Sequence, residues 1–261
     1  MLRAPAQMPF INGKVLVVSR GMHGATQNIY TGLSDFSDCA FLLHLLREAD
    51  LFVDIGSNVG VYTVLASACA GASSIAIEPI PQAFSSLCAN IRANAIDDRA
   101  TPQNIGLGRK SEMLRFTVEG DCMNRVITEE HWTGPSIDVP VRTLDSVLAG
   151  QSPTLLKLDV EGWESEVLAG AALTLGNPSL VALIVEMDGS NVSFNPNEEA
   201  VHACLLSNGF APFAYAPFKR SLTPLPSKNF GESNTLYLRD LERIEARLSS
   251  APPFSVNGRS I

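Results

Sequence analysis

Lysine is scarce in this 261-residue chain: Lys14, Lys110, Lys157, Lys219 and Lys228 are all it has, and they lie far apart. With a formal net charge of -8, the sequence offers no broad basic surface to track phosphates, which argues against DNA or RNA as a partner. The cysteines Cys39, Cys69, Cys88, Cys122 and Cys204 are odd in number and have neither the CxxC spacing of a zinc site nor the framework of a small secreted disulfide domain, so they read as reduced thiols. The N-terminus has no basic start, apolar stretch and small-residue cleavage site, and no apolar run approaches the length needed to span a bilayer. A cytoplasmic protein without a membrane partner is the expectation. Internal repeats are missing too, and nothing in the sequence indicates an oligomeric state.

What is present is the composition of an ordinary globular protein, 46% apolar and 18% charged. The length suits one domain, with an N-terminal segment and helix over residues 1–50, a core over 51–240, and a C-terminal helix and tail over 241–261. The first nine residues and the last eleven lack periodicity and are expected to fray. Between them short apolar runs alternate with helical patterns. Helices are predicted over 37–48, 59–70, 82–95, 144–148 and 163–173, with one more starting at an Asn195 cap and Pro196 and ending after Leu206. Strands are predicted over 51–55, 74–77, 101–107, 154–158, 180–186, 210–215 and 235–238. These define an α/β fold: a doubly wound, mainly parallel seven-stranded Rossmann-like sheet with an antiparallel edge hairpin. Shorter alternating segments over 113–118 and 137–141 read as a small β insertion.

The strongest local signal is Phe52-Val53-Asp54-Ile55-Gly56-Ser57-Asn58-Val59-Gly60, a buried strand passing through a glycine turn into a helix. Glycine lets a ligand approach the backbone, and doubly wound sheets bind ligands beyond the carboxyl ends of their strands. Asp54, at the tip of an apolar strand, needs a partner such as the ammonium of a methionine moiety, reached directly or through water and loop amides. Glu78, in Ile77-Glu78-Pro79, follows Gly56 at about the twenty-residue interval of a ribose-binding acid. The alternative for each is structural, a tight βα turn and a solvated strand-end carboxylate. The turn lacks the G-x-G-x-x-G spacing that seats a pyrophosphate, and no G-x-x-x-x-G-K-[ST] loop exists, so a phosphate-free sulfonium nucleoside fits better than NAD or a nucleoside triphosphate.

A second cluster, Leu156-Lys157-Leu158-Asp159-Val160-Glu161-Gly162, places Lys157, Asp159 and Glu161 at alternate positions of a strand and its exit, toward one face. A self-compensating ion network with Glu164 and Glu166 decorating the next helix is the structural alternative.

Together, Asp54-Ile55-Gly56-Ser57-Asn58-Val59-Gly60, Glu78-Pro79, Thr143-Leu144-Asp145 and Leu158-Asp159-Val160-Glu161-Gly162 resemble the FkbM family of methyltransferases, over roughly residues 30–186. The resemblance implies a class I methyltransferase fold using S-adenosylmethionine, commonly for O-methylation of sugars or natural-product hydroxyls. Trp163 stands where the family often has His after its Glu-Gly pair, which removes a catalytic His there. His23, His44, His131 and His202 are unremarkable by sequence. Within this frame Asp54, Gly56, Ser57, Asn58, Gly60 and Glu78 are the expected cofactor residues. Asn104 is expected to approach the adenine, with Tyr30 and Asp35 closing the pocket; turn-capping and packing roles are equally open for these three. Asp159 is the expected base or anchor for the acceptor hydroxyl. Lys157 would orient it or stabilise developing negative charge, and Glu161 would support it. No resident metal is expected, although Asp159, Glu161, Glu186 and Asp188 offer carboxylates for one. The partner is a small-molecule hydroxyl acceptor, with specificity from the N-terminal segment, residues 119–140 and residues 217–233. A small-molecule N-methyltransferase, an NAD-dependent oxidoreductase and a noncatalytic nucleoside-binding module remain the rival readings.

Overall fold

The computed structural model describes residues 5–18, 28, 31–118, 123–129, 131–187, 198–256 and 258–261. Five strands run parallel at its centre: β1 (Leu51–Ile55), β2 (Ser73–Ile77), β3 (Ala100–Gln103), β4 (Leu155–Leu158) and β5 (Ala182–Glu186). They are ordered β3-β2-β1-β4-β5, so the winding reverses between β1 and β4 and a crevice opens beyond their carboxyl ends. Three more strands complete the sheet on the β5 side: β6 (Ala211–Ala216), β7 (Ser221–Pro224) and β8 (Asn234–Leu238). β8 lies antiparallel between β5 and β6, and β7 pairs antiparallel with β6 at the edge.

The sheet therefore has eight strands, where the sequence predicts seven. The additional strand, β7, is short, polar and largely exposed, so it carries no apolar alternation from which to read it. The predicted third strand also divides. Residues 100–103 pair with β2, whereas Gly106–Leu107 joins Glu112–Thr117 and Ser136–Arg142 in a separate three-stranded sheet, the expected β insertion.

Eight helices cover the faces: α1 (Phe36–Leu45), α2 (Val61–Val64), α3 (Pro81–Ala93), α4 (Leu144–Leu148), α5 (Glu164–Ala169), α6 (Ala172–Gly176), α7 (Glu198–Ser207) and α8 (Leu241–Ser250), counted among the described residues. After α2 the helix widens over Leu65–Cys69, with the Ala70 N–H donating to the Leu65 carbonyl at 3.0 Å. The single helix predicted over 163–173 is broken at Gly170, where a Cβ would meet the Gly108 carbonyl oxygen at 2.2 Å. The predicted cap of α7 at Asn195 and Pro196 lies outside the described residues. No described helix is long and apolar enough to cross a membrane.

Period two along the strands sorts their side chains between two apolar cores. Phe52, Leu155, Ala182 and Ile184 join α1 and α2 on one face, while Val53, Ile55, Leu156, Leu158, Leu183 and Val185 meet α5 and α7 on the other. Asp54, Lys157 and Glu186 continue the first row at the strand tips. The described parts of the chain ends are paired where fraying was expected. Residues 6–9 pair with 15–18, and the tail forms a hairpin over 255–260 that buries Phe254, Val256 and Ile261 in the α1 core. The Arg220 guanidinium holds the tail by donating to the Ala251 carbonyl at 2.6 Å and the Ile261 carbonyl at 3.3 Å, contacts between distant residues that no local pattern announces.

Candidate active site

Asp54 stands in register with Lys157 on the neighbouring strand, so the two side chains project side by side at the carboxyl end of the sheet. Asp54 is buried and accepts a hydrogen bond from Thr63 Oγ1 at 2.6 Å. Burial pushes its carboxyl up to about 6, against the pull of Thr63 and Lys157.

The chain then turns through Gly56 at φ 77° and Asn58 at φ 49°. Both the Gly56 and Ser57 amides donate to the Ile77 carbonyl at 3.0 Å, fastening the turn to β2. Glu78 completes the fastening: Oε2 accepts the Asn58 amide and Oε1 the Ile80 amide, each at 2.8 Å. Glu78 is thus buried and amide-bound, where its structural alternative was a solvated carboxylate, and burial raises it to about 7.

Beyond β4, Lys157 Nζ lies 2.8 Å from Asp159 Oδ2 and 3.4 Å from Asn234 Oδ1, with the Tyr62 ring centroid 5.4 Å away. Asn234, the first residue of β8, in turn donates to Asp38 Oδ2 at 2.9 Å. Burial opposes the charge on Lys157, but its ion pair with Asp159 outweighs it and holds the ammonium protonated. Burial likewise opposes ionisation of Asp159, and Lys157 overcomes it, keeping the carboxyl below its ordinary range. Glu186, buried and hydrogen-bonded to Asp159, is pushed far upward and retains its proton.

The exit loop carries Glu161 at φ 54°, a strained conformation for a residue with a side chain. Glu164 holds it in place, Oε1 accepting the Val160 and Gly162 amides at 3.1 and 3.3 Å. Glu164 is buried and raised to about 7 by that burial, so it does not decorate the helix surface; the sequence signal for it was its reach back to amides at a helix start. One oxygen each of Asp159, Glu161 and Glu186 lies within 4.8 Å of the others, close enough to share a cation, and the Lys157 ammonium already stands against Asp159.

Asp54, Glu78, Lys157, Asp159, Glu161 and Glu186 line one cavity of about 300 Å³. Asp54, Gly56, Ser57, Asn58 and Glu78 border it on one side, and Lys157, Asp159 and Glu161 on another. Asp35 also borders it and accepts from the Tyr62 hydroxyl at 3.1 Å. Ile80, Ile105, Leu107, Phe116 and Val126 form an apolar wall, part of it supplied by the small sheet. Among the described residues, Ser57 Oγ, buried at the cavity, has no hydrogen-bond partner. Two expected residues do not line it. Gly60 packs on Leu87, where a Cβ would come within 2.5 Å, and the Asn104 amide is engaged by the Glu78 and Pro79 carbonyls at 2.8 and 3.0 Å. Tyr30 and Asp188 lie outside the described residues. His44 and His202 are held by Tyr215 and Tyr237 hydroxyls, away from the cavity. Sequence reasoning missed Asn234, Tyr62 and Glu164, which act through partners distant in the chain or turned inward.

A family model described as the methyltransferase FkbM domain matches residues 54–212. Hexuronic acid methyltransferase AglP of Haloferax volcanii is 30% identical over 151 residues, which are 56% of this chain and 59% of that protein. Among solved structures, a precorrin-6y C5,15-methyltransferase from Geobacter metallireducens superposes with a TM-score of 0.47 at 10% identity, covering 85% of this chain and 91% of that one. TYW2 of M. jannaschii in complex with AdoMet gives 0.46 at 10% identity, over 90% and 84% of the two chains. Structural likeness of this degree assigns no chemistry.

Proposed function

This chain belongs to the FkbM family of methyltransferases, and from that premise we propose that it transfers a methyl group from S-adenosylmethionine to a hydroxyl of a sugar or related small molecule. The observation that carries the reading is the pair of buried carboxyls, Asp54 and Glu78, at adjacent strand tips of one cavity. A ligand with an ammonium and vicinal hydroxyls supplies the cation and donors these acids need. The pyrophosphate of NAD would instead meet carboxylates, which counts against an oxidoreductase.

The residues fit a sulfonium nucleoside. Asp54 faces the ammonium, Glu78 accepts from the ribose through lone pairs its amide partners leave open, and the unpartnered Ser57 hydroxyl offers a further contact. When bound, S-adenosylmethionine would supply an electrophilic methyl group, the carbon–sulfur bonding pair leaving with its neutral thioether product. Asp159, held ionised by Lys157, orients the acceptor hydroxyl and takes its proton as the oxygen–methyl bond forms. Lys157 offsets the negative charge developing on the acceptor oxygen, and Glu161 sits beside Asp159 in support.

Calorimetry with S-adenosylmethionine, its demethylated product and NAD tests the reading. Both sulfur nucleosides should bind, and the Asp54→Asn, Glu78→Gln double variant should lose about tenfold or more in affinity while retaining its fold. Binding of NAD but neither sulfur nucleoside, or unchanged affinity in the folded double variant, rejects it.

A further inference from the structure

Resting on that methyltransferase reading, we propose that Asn234 is a positioning residue of the reaction: its amide, aligned by Asp38, holds the Lys157 ammonium against the Asp159 carboxylate that receives the acceptor proton. Asp38 stands in the first turn of α1, Asn234 opens β8 in register with Glu186 of β5, and Lys157 and Asp159 belong to β4 and its exit. Asn234 Nδ2 donates to Asp38 Oδ2 at 2.9 Å, and Lys157 Nζ donates to Asn234 Oδ1 at 3.4 Å and to Asp159 Oδ2 at 2.8 Å. Asp38, Asn234 and Lys157 are all buried.

The chemistry of the amide gives this line of contacts a direction. An ammonium has donors and no acceptor, so the carbonyl end of Asn234 must face Lys157, which leaves its NH2 for Asp38. By accepting from that NH2, Asp38 keeps the amide from turning. A lysine stem is flexible and does not by itself fix where the ammonium sits. Here Asn234 and the Tyr62 ring, with its centroid 5.4 Å away, bound the space around the ammonium and leave Asp159 as its ionic partner. Lys157 is also the one cation among the described residues lining the cavity, so no other group there can take over the pairing. Carboxyl groups lie near both ends of the line: Glu186, Glu161, Asp54, Glu78 and Glu164 around Asp159, and Asp35 and Glu232 around Asp38. With the ammonium displaced, Asp159 would have only acids for ionisable neighbours among these groups and would keep its proton to higher pH. Neither Asn234 nor Asp38 is among the described lining residues, so both act through Lys157.

Aspartate labelled with carbon-13 at its carboxyl lets the Asp159 titration be followed by NMR on the ligand-free protein, the signal being assigned by its loss in Asp159→Asn. Asn234→Leu should raise the Asp159 midpoint by at least about half a pH unit, Asp38→Leu should act in the same direction, and Asp38→Asn, which still offers the amide an oxygen, should raise it less than Asp38→Leu. The Asp38→Leu, Asn234→Leu double variant leaves neither member of the pair buried without its partner, and should raise the midpoint no further than Asn234→Leu alone. Affinity for S-adenosylmethionine, measured by calorimetry, should stay within about threefold of the parent protein in each variant. An unchanged Asp159 midpoint in any of Asn234→Leu, Asp38→Leu and the double variant that folds overturns the proposal. So does a raised midpoint accompanied by a loss of about tenfold or more in that affinity, because the whole site has then shifted. A parent protein that binds no sulfur nucleoside fails the methyltransferase reading itself, whatever the titration shows.

Discussion

A Cβ on residue 56 would lie 1.7 Å from the carbonyl oxygen of Asp159, so the turn after β1 and the exit of β4 meet backbone to backbone. Glycine at that position serves the contact between two loops that both line the cavity.

Gly56→Ala combines this overlap with a φ of 77° that disfavours a side chain. The expected cost is about 2 kcal/mol or more of stability, with weakened nucleoside binding even where the fold survives. Thermal unfolding and calorimetry on the same sample check both effects. An unchanged melting temperature and affinity would show that the two loops do not in fact touch.

Burial raises Asp38, Glu78 and Glu164 to about 7 and Asp54 to about 6 in the folded protein. The native state therefore holds protons that the unfolded chain has already released, and stability present at low pH is lost as pH rises through these values. His44, lowered by burial to about 4, acts in the opposite direction below its ordinary value of 6.5, but it is one group against these four and Glu186, which burial also raises. The ligand-free protein should melt at progressively lower temperature from about pH 5 to about pH 8, and Glu164→Gln should flatten the trend. A melting temperature that climbs across that range contradicts the buried acids.

Lys157→Met removes the cation that keeps Asp159 ionised. The turnover rate should fall about a hundredfold, and the acidic limb of its pH profile should move upward because Asp159 then protonates more readily. Lys157→Arg should not restore activity, since the guanidinium fork does not fit a slot shaped by Asn234 and Tyr62. A profile of unchanged shape with a lower plateau would make Lys157 a packing residue alone.

Much of the site was legible because it is built from short patterns. Asp54 and the glycine turn lie within one βα unit, Glu78 follows at the tip of the next strand, and Lys157 and Asp159 alternate along a single strand and its exit. Asn104, expected near the adenine, has its Nδ2 engaged by carbonyls that only the folded loop brings near. Glu164 lies where a helix-surface acid is ordinary, and only packing turns it inward. Asn234 approaches Lys157 from 77 positions away.

By itself the order of amino acids determined the parallel βα alternation, the tips at which acids emerge and the cofactor chemistry they suit, since strand period and glycine turns act between near neighbours. Tertiary structure alone decided which acids share one cavity, which stay protonated there, and that the described lining leaves Lys157 already paired. Those properties depend on burial and on distances between remote segments, which only the closed sheet establishes.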